Sequence, residues 1–453
     1  VSGLTVANTA YRVRLKLVQG AGTLLGRFAD DRVLPTSPDD LFEDAAIETA
    51  GEQDVERYLR SWSAGRTTLD IGSVRAGAGA TRALIRADGF DRHTFLCGQS
   101  GSGKTYALGV MLERLLLETD LRIVIIDPNS DFVHLNALRS FEEATRGFGP
   151  ELSRDAYEAL AERYRAATDR VRVLRPAPRG TATPDALRVR FSDLAPIVQG
   201  IVLQIDPLRD REEYHALRTI VSRMGRGRYS LSDLSAAAAA DLSGDGRQLA
   251  LRIANLGVAT WDIWAEHDEA SLADGGLDDW RALVLDVGGF NTAAEKSLVA
   301  SAVMGVAWGR RNERAPMLIV IDEAHNVCAQ EPSDPLQAAA TERAIRIAGE
   351  GRKFGIYLLL ATQRPQKLHS NVISQCDNLV LMRMNSAADV EELSGSFSFV
   401  PASLLAEATS FRQGESLIAG KIAPSPLFTS FGGRLSREGG SDVPTDWAAP
   451  RQG

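Results

Sequence analysis

Cysteine is nearly absent from this chain. Cys97, Cys328 and Cys376 are the only three in 453 residues, too few and too widely spaced for a disulfide framework, and no Cys-x-x-Cys or Cys/His cluster offers zinc ligation. A reducing, cytoplasmic setting is expected. No run of about 18 or more apolar residues occurs, so no membrane-spanning helix and no membrane partner is expected; the longest such run, Ser297 to Trp308, is rich in small residues and reads as a buried helix. The opening residues, VSGLTVANTAYRVRLKL, have no charged segment leading into a long apolar core and do not read as a secretion signal. An excess of positive charge is also missing: 59 acidic against 51 basic residues give a net charge of −8. That excludes a protein basic all over, but a confined basic channel can still hold nucleic acid inside an acidic shell. Lysine is scarce, 6 of the 51 basic residues, which throws Lys104 and Lys353 into relief inside the motifs below.

What is present is ordinary globular material, 44% apolar and 24% charged, enough for two or three domains. Short apolar runs punctuate it: HTFLC, RIVIID, ALVLDV, MLIVIDE, IYLLLATQ and NLVLMRM. Runs this short and unbroken read as strands buried on both faces, the mark of a parallel sheet. Helix-like segments such as TERAIRIAGEGRK separate several of them. The expected fold class is α/β, a RecA-like core with a central parallel sheet and polar residues at the carboxyl ends of its strands. The expected division is a partly barrel-like N-terminal assembly domain at 1–90, core at 91–132 and 280–432, a mostly helical insertion at 133–279, and a flexible polar arm at 433–453. Within the insertion, VRVLRP and LRVRF alternate as a hairpin would. The Arg-rich stretch from Arg163 to Arg179 serves either as a DNA contact or as a solvated basic face. No internal repeat is visible.

Residues 98–105 read GQSGSGKT, the full G-x-x-x-x-G-K-[ST] pattern between a strand and a helix. Gly98, Gly101 and Gly103 let the backbone wrap a phosphate chain, and the helix N-terminus adds partial positive charge. Lys104 places a point charge on the β- and γ-phosphates, and the Thr105 hydroxyl suits Mg2+. Gln99, Ser100, Ser102 and Tyr106 complete the expected nucleotide-binding stretch, with ATP and Mg2+ as the expected cofactors. In MLIVIDEAH, Asp322 suits the metal side and Glu323 suits activation of the attacking water; the same pair alone would also cap a following helix. Gln363, in ATQRP, fits either a γ-phosphate sensor or a plain strand-end turn before Pro365. Arg352, in GEGRKFG, fits either an arginine finger reaching a neighbouring subunit or a cation complementing a helix C-terminus.

The stretches RHTFLCGQSGSGKTY (92–106), IIDPNSDF (125–132), LIVIDEAHNV (318–327) and GEGRKFGIYLLLATQRPQKLHSNVISQCDNLVLMRMN (349–385) resemble the HerA/FtsK superfamily of ring-forming DNA-translocating ATPases, and within it the HerA branch. The resemblance implies a homohexamer that moves double-stranded DNA through its pore. It implies that Lys104 and Thr105 hold phosphate and Mg2+, Asp322 the metal side, Glu323 the catalytic carboxylate, and Gln363 the sensor. Arg352 matches the trans-acting finger and Arg92 a second arginine brought to the nucleotide; Asp127 matches an additional acidic residue near the site, and Arg383 an arginine on the following strand. Relatives commonly act with a partner effector, a nuclease or a sirtuin-type NAD-consuming protein, in DNA processing or phage defence. Two departures stand out: the acidic piece PDDLFEDAAIETAGEQDVERYL does not fit an opening β-barrel, and Asn-Ser-Asp follows Pro128 where relatives commonly show a Gly-acidic pair. Two other functions fit the same motifs: a conjugation-type DNA pump, usually membrane-anchored, and a hexameric scaffold in which ATP acts as a switch for an effector.

Overall fold

The computed structural model describes residues 2–6, 9–13, 27–29, 32–34 and 51–440, apart from 76–80, 149–151, 182, 226, 267–268 and 275–278. The early part of the acidic stretch (38–50) and the end of the expected arm (441–453) lie outside the described residues. Two short antiparallel hairpins come first, β1 (Ser2–Val6) with β2 (Thr9–Val13) and β3 (Arg27–Ala29) with β4 (Arg32–Leu34). The helix Glu52–Ser63 follows.

The remaining strands form one sheet: β5 (Thr68–Val74), β6 (Arg82–Arg86), β7 (His93–Cys97), β8 (Arg122–Asp127), β9 (Val171–Leu174), β10 (Ala282–Asp286), β11 (Met317–Ile321), β12 (Ile356–Thr362), β13 (Cys376–Met382), β14 (Glu415–Gly420) and β15 (Leu427–Phe431). Their order is β6-β5-β15-β14-β13-β7-β12-β11-β8-β10-β9. From β13 to β9 every neighbouring pair is parallel; the four strands on the other side pair antiparallel.

The unbroken apolar runs are explained by burial on both faces. Along β11, Leu318 and Val320 pack on one side with Leu108, Met111, Leu112 and Leu115 of the helix Lys104–Glu118. Ile319 and Ile321 pack on the other side with Leu298 and Met304 of the helix Ala293–Gly309. That second helix is opened by a reciprocal capping box between Thr292 and Glu295, which satisfies backbone donors its first turn would leave unpaired. It covers the small-residue run read as a buried helix.

The sheet cuts across the expected divisions. β5 and β6, inside the first 90 residues, join it at one edge, and β9, inside the insertion, closes the other edge. VRVLRP and LRVRF do not form a hairpin: β9 pairs in parallel with β10, and only an isolated parallel bridge joins Arg175 to Ala186. The rest of the insertion is helical, for example Arg154–Thr168, Arg211–Met224, Leu231–Ala240 and Gly244–Leu256. Five arginines of the 163–179 stretch, Arg163, Arg170, Arg172, Arg175 and Arg179, pair with acidic residues of this same chain, as a solvated charged face does.

Residues 433–440, expected as the start of a flexible arm, are packed down. Arg434 is fully buried, and Glu113, on the helix after the glycine loop, is fully buried beside it at 3.5 Å. Glu113 also accepts from the N–H groups of Leu435 (2.8 Å) and Ser436 (2.7 Å) and from the Ser436 hydroxyl (2.6 Å). Gly109 makes room: a Cβ there would lie 2.5 Å from the Arg434 guanidinium. The polar composition that suggested an arm is here the polar lining of a buried ion pair. Removing one partner of such a pair leaves an uncompensated charge and costs about 3–5 kcal/mol. Glu113→Ala is therefore expected to lose about that much stability in urea unfolding, and an unchanged midpoint would mean that this segment is not docked.

Candidate functional site

The parallel strands end together on one edge of the sheet, and the glycine loop sits there. After Cys97 the chain turns back: the Gly98 N–H donates to Thr362 O (3.3 Å) and the Gln99 N–H to Arg383 O (3.0 Å). Gly101 and Gly103 have φ of +71° and +92°, where side-chain-bearing residues are strained. A Cβ on Gly98 would lie 2.6 Å from Ser102 Oγ. Ala107 N–H donates to Gly103 O (2.9 Å) and starts the helix, leaving the first-turn N–H groups aimed into the loop. Ser100 is exposed, Thr105 is half-buried on the first turn, and Ser102 Oγ is buried with no protein partner.

Lys104 is 4% exposed and donates to Asp322 Oδ1, with Glu323 Oε1 at 3.1 Å. Burial alone would lower its pKa, but the two carboxylates outweigh burial and raise it. Asp322 follows β11 and its N–H donates to Ile126 O (3.2 Å); its Oδ2 is buried and unpartnered. Glu323 takes a left-handed backbone, φ +45°, costing of order 1 kcal/mol in a non-glycine residue. That turn points its carboxylate back at Lys104 and at Gln363, whose Nε2 donates to Glu323 Oε1 at 2.8 Å. Burial would raise the Glu323 pKa; Lys104 and Gln363 outweigh it and hold the carboxyl ionised below its usual range. His325, unassigned from sequence, places Nδ1 3.4 Å from Glu323 Oε2 and 3.0 Å from Thr362 Oγ1, and burial lowers its pKa.

Asp127 is fully buried at the end of β8. It accepts from the N–H groups of Asn129 (3.2 Å), Asp131 (3.1 Å) and Phe132 (2.8 Å), and burial still pushes it up to about 6. Asp131 was not singled out from sequence, although IIDPNSDF contains it. Burial, then the charges of Asp127 and Asp322, push it up to about 7. On the far wall, Arg383 donates to Ser100 O (3.4 Å) and Gln99 reaches Asp389 at 3.4 Å. Tyr106 faces the other way. Its hydroxyl accepts from the Arg434 N–H (2.9 Å) and its ring lies under Arg139, so it packs the C-terminal segment rather than lining the loop.

Arg92 and Arg352 are not in this cluster. Arg92 precedes β7 and Arg352 lies in the turn before β12, both at the amino ends of strands whose carboxyl ends carry the loop and Gln363. At ~3.3 Å per strand residue, that places them about 20 Å from the phosphate loop of their own chain.

The residues fit a nucleoside triphosphate with a divalent cation. The loop supplies N–H donors, Lys104 a charge, and Ser102 Oγ and Asp322 Oδ2 are buried atoms lacking a partner. The hydroxyl of Thr105 and the carboxylate of Asp322 are oxygen donors, the kind that suits Mg2+, an ion that takes most of its ligands from phosphates and water. Thr105 and Asp322 are the residues that would hold it.

A parallel sheet with this strand–loop–helix unit and an acidic pair on its lysine defines a P-loop ATPase of RecA-like architecture. Residues 69–255 match the family described as "Helicase HerA, central domain". The chain is 30% identical over 133 residues to a probable helicase of Methanocaldococcus jannaschii, covering 29% of this chain and 25% of that one. It is 22% identical over 393 residues to the DNA double-strand break repair helicase HerA of Sulfurisphaera tokodaii, covering 83% of this chain and 72% of that one. Among solved structures, VirB4 of Thermoanaerobacter pseudethanolicus aligns at a TM-score of 0.49 and 16% identity over 84% of this chain and 98% of that one. The resemblance read from the motifs holds: the chain is similar to HerA helicases, in their central domain over residues 69–255. The chain thus spans about a quarter of the first relative's length and about three quarters of the second's.

The raised pKa of Asp131 has a consequence for stability. Because the folded state holds that proton more tightly than the unfolded chain, stability falls as pH rises from about 4 to about 7 through this group. Asp131→Asn, in metal- and nucleotide-free protein, is expected to melt at a higher temperature than wild type at pH 8 and at the same temperature near pH 4. An equal difference at both pH values would contradict the burial of this carboxyl.

Proposed function

We propose that this protein hydrolyses ATP between the subunits of a homohexameric ring and uses the cycle to move duplex DNA. The observation that carries the reading is the separation within one chain. Lys104, Asp322, Glu323 and Gln363 gather at the carboxyl edge of the sheet, while Arg92 and Arg352 stand at its amino edge. A guanidinium at the amino edge has no access to its own loop, and a ring places that edge against the next subunit's loop.

In this reading the loop N–H groups and Lys104 bind and orient the triphosphate tail. Glu323, kept ionised by Lys104 and Gln363, takes the proton of the attacking water. Gln363 fixes the direction of that carboxylate and is placed to feel whether the terminal phosphate is present. Mg2+, held from Thr105 and Asp322, would neutralise charge on the phosphate oxygens. Arg352 and Arg92 of the adjoining subunit supply the remaining positive charge, so turnover depends on assembly. Asp127 and Arg383 border the site as positioning groups. The HerA helicases that the chain resembles are named for double-strand break repair, which supports duplex DNA as the cargo. The hairpins and helix that precede β5 would serve assembly, and the ring would act with a partner effector, a nuclease or a sirtuin-type enzyme.

Native mass spectrometry with and without ATP tests the ring: hexamers in the presence of ATP are expected, and monomers under every condition would refute it. Lys104→Ala is expected to lose ATP binding and about 100-fold or more of turnover. Glu323→Gln should bind ATP yet lose DNA-stimulated hydrolysis; wild-type turnover in Glu323→Gln would remove this residue from its role.

A further inference from the structure

The amino edge of the sheet holds a residue to which none of the proposed roles gives a part. In strand order β13, β7 and β12 are neighbours, so the residues at their starts, Asp377, Arg92 and Arg352, lie side by side. Both arginines converge on one oxygen: Arg352 Nη1 donates to Asp377 Oδ2 at 2.8 Å and Arg92 Nε lies 3.3 Å from the same atom. Among the described residues Asp377 is the carboxylate the two arginines share; Asp91, beside Arg92, is also held by Lys421 at 2.7 Å.

The backbone is built to present this carboxylate. Cys376 pairs with His93 and Asn378 with Thr94, so Asp377 is the extra residue of a β-bulge in a parallel pair, an uncommon place for one, and bulges re-aim side chains. The bulge is pinned from beneath. Asn378 is fully buried; its Nδ2 donates to Gly89 O (2.9 Å) and Thr94 Oγ1 (3.1 Å), and its Oδ1 accepts from the Ile422 N–H (3.2 Å). Opposite, Gly420 has φ +102°, and a Cβ there would lie 2.1 Å from Asp377 O. A surface ion pair that formed by chance would need neither a buried asparagine nor a glycine to hold its carboxylate in place.

We infer that Asp377 is a positioning residue that gathers Arg92 and Arg352 into one two-pronged clamp for the phosphates of a neighbouring subunit. The inference rests on the intersubunit reading above. Two guanidiniums repel each other when brought together, and the shared carboxylate offsets that repulsion. Each arginine has five N–H donors. Arg352 spends Nη1 on Asp377, leaving Nε and Nη2; Arg92 spends Nε on Asp377 and Nη1 on Asp91, leaving Nη2. The free donors can meet phosphate oxygens without Asp377 letting go, so the prongs are held in place before the nucleotide arrives.

Asp377 and Arg352 are 48% and 43% exposed, so substitutions there should leave the fold intact. Asp377→Asn is expected to lower kcat about tenfold in the presence of ATP and duplex DNA, while binding of a fluorescent ATP analogue stays within about twofold of wild type. Asp377→Glu, which keeps the charge, should recover most of the loss. The control is Arg352→Ala, alone and mixed with Lys104→Ala protein, whose intact arginines should restore turnover at mixed interfaces. Rescue there together with wild-type kcat in Asp377→Asn would overturn the role of Asp377 and leave the intersubunit reading standing. Normal turnover in Arg352→Ala, or no rescue at any ratio, would overturn that reading and the clamp with it. A drop in ATP affinity equal to the drop in kcat would also overturn the clamp, since a group on the neighbour's edge acts after binding.

Discussion

A parallel sheet has two chemically different edges, and everything proposed for this molecule depends on that polarity. Seven strands from β13 to β9 run in one direction, so every carboxyl end opens on one side and every amino end on the other. The loop, the acidic pair and Gln363 follow the first edge; Arg92, Arg352 and Asp377 follow the second. No side chain spans about 20 Å, so the anion-binding loop and the two guanidiniums belong to one chemistry only if two molecules meet.

The first edge is organised around a buried lysine. An ammonium taken out of water is costly unless its partners are close and fixed. Here Asp322 and Glu323 supply two charges, and the left-handed turn at Glu323 brings the second into range. The same contacts hold Glu323 ionised. In the proposed cycle, phosphates would take over Lys104 and release the acidic pair, Asp322 toward a cation and Glu323 toward water. Burial raises both additional carboxyls, Asp127 to about 6 and Asp131 to about 7, so near neutral pH Asp131 still holds a share of its proton while Asp127 is mostly ionised.

Much of this was legible in the sequence because the determinants are local. A strand buried on both faces must be an unbroken apolar run, and a backbone wrapped round phosphates must have glycine where φ is positive, as Gly101 and Gly103 do. The strand ends carrying Asp127, Asp322 and Gln363 were found for the same reason. What escaped was set by contacts distant along the chain. Arg434 meets Glu113 across 321 positions of sequence, so a polar Gly-rich tail looked free. The strand β9 joins the sheet through β10, over a hundred residues away, so it was read as half of a local hairpin. Tyr106 follows the loop directly, and only the path of residues 433–440 turns it away. Asp377 lies within the quoted stretch 349–385 but no role attached to it there; a bulge is a difference in register between two strands and has no signature in either one.

The central claim is that the terminal phosphate of ATP bound by one protomer is met by the arginines of the next. A photoreactive ATP analogue labelled at the γ-phosphate tests it directly in mixed assemblies of wild-type protein and a mass-tagged Lys104→Ala protein that cannot bind nucleotide itself. The account predicts that the peptide around Arg352 of the tagged protomer becomes labelled. Label confined to the protomer that binds the nucleotide would contradict it.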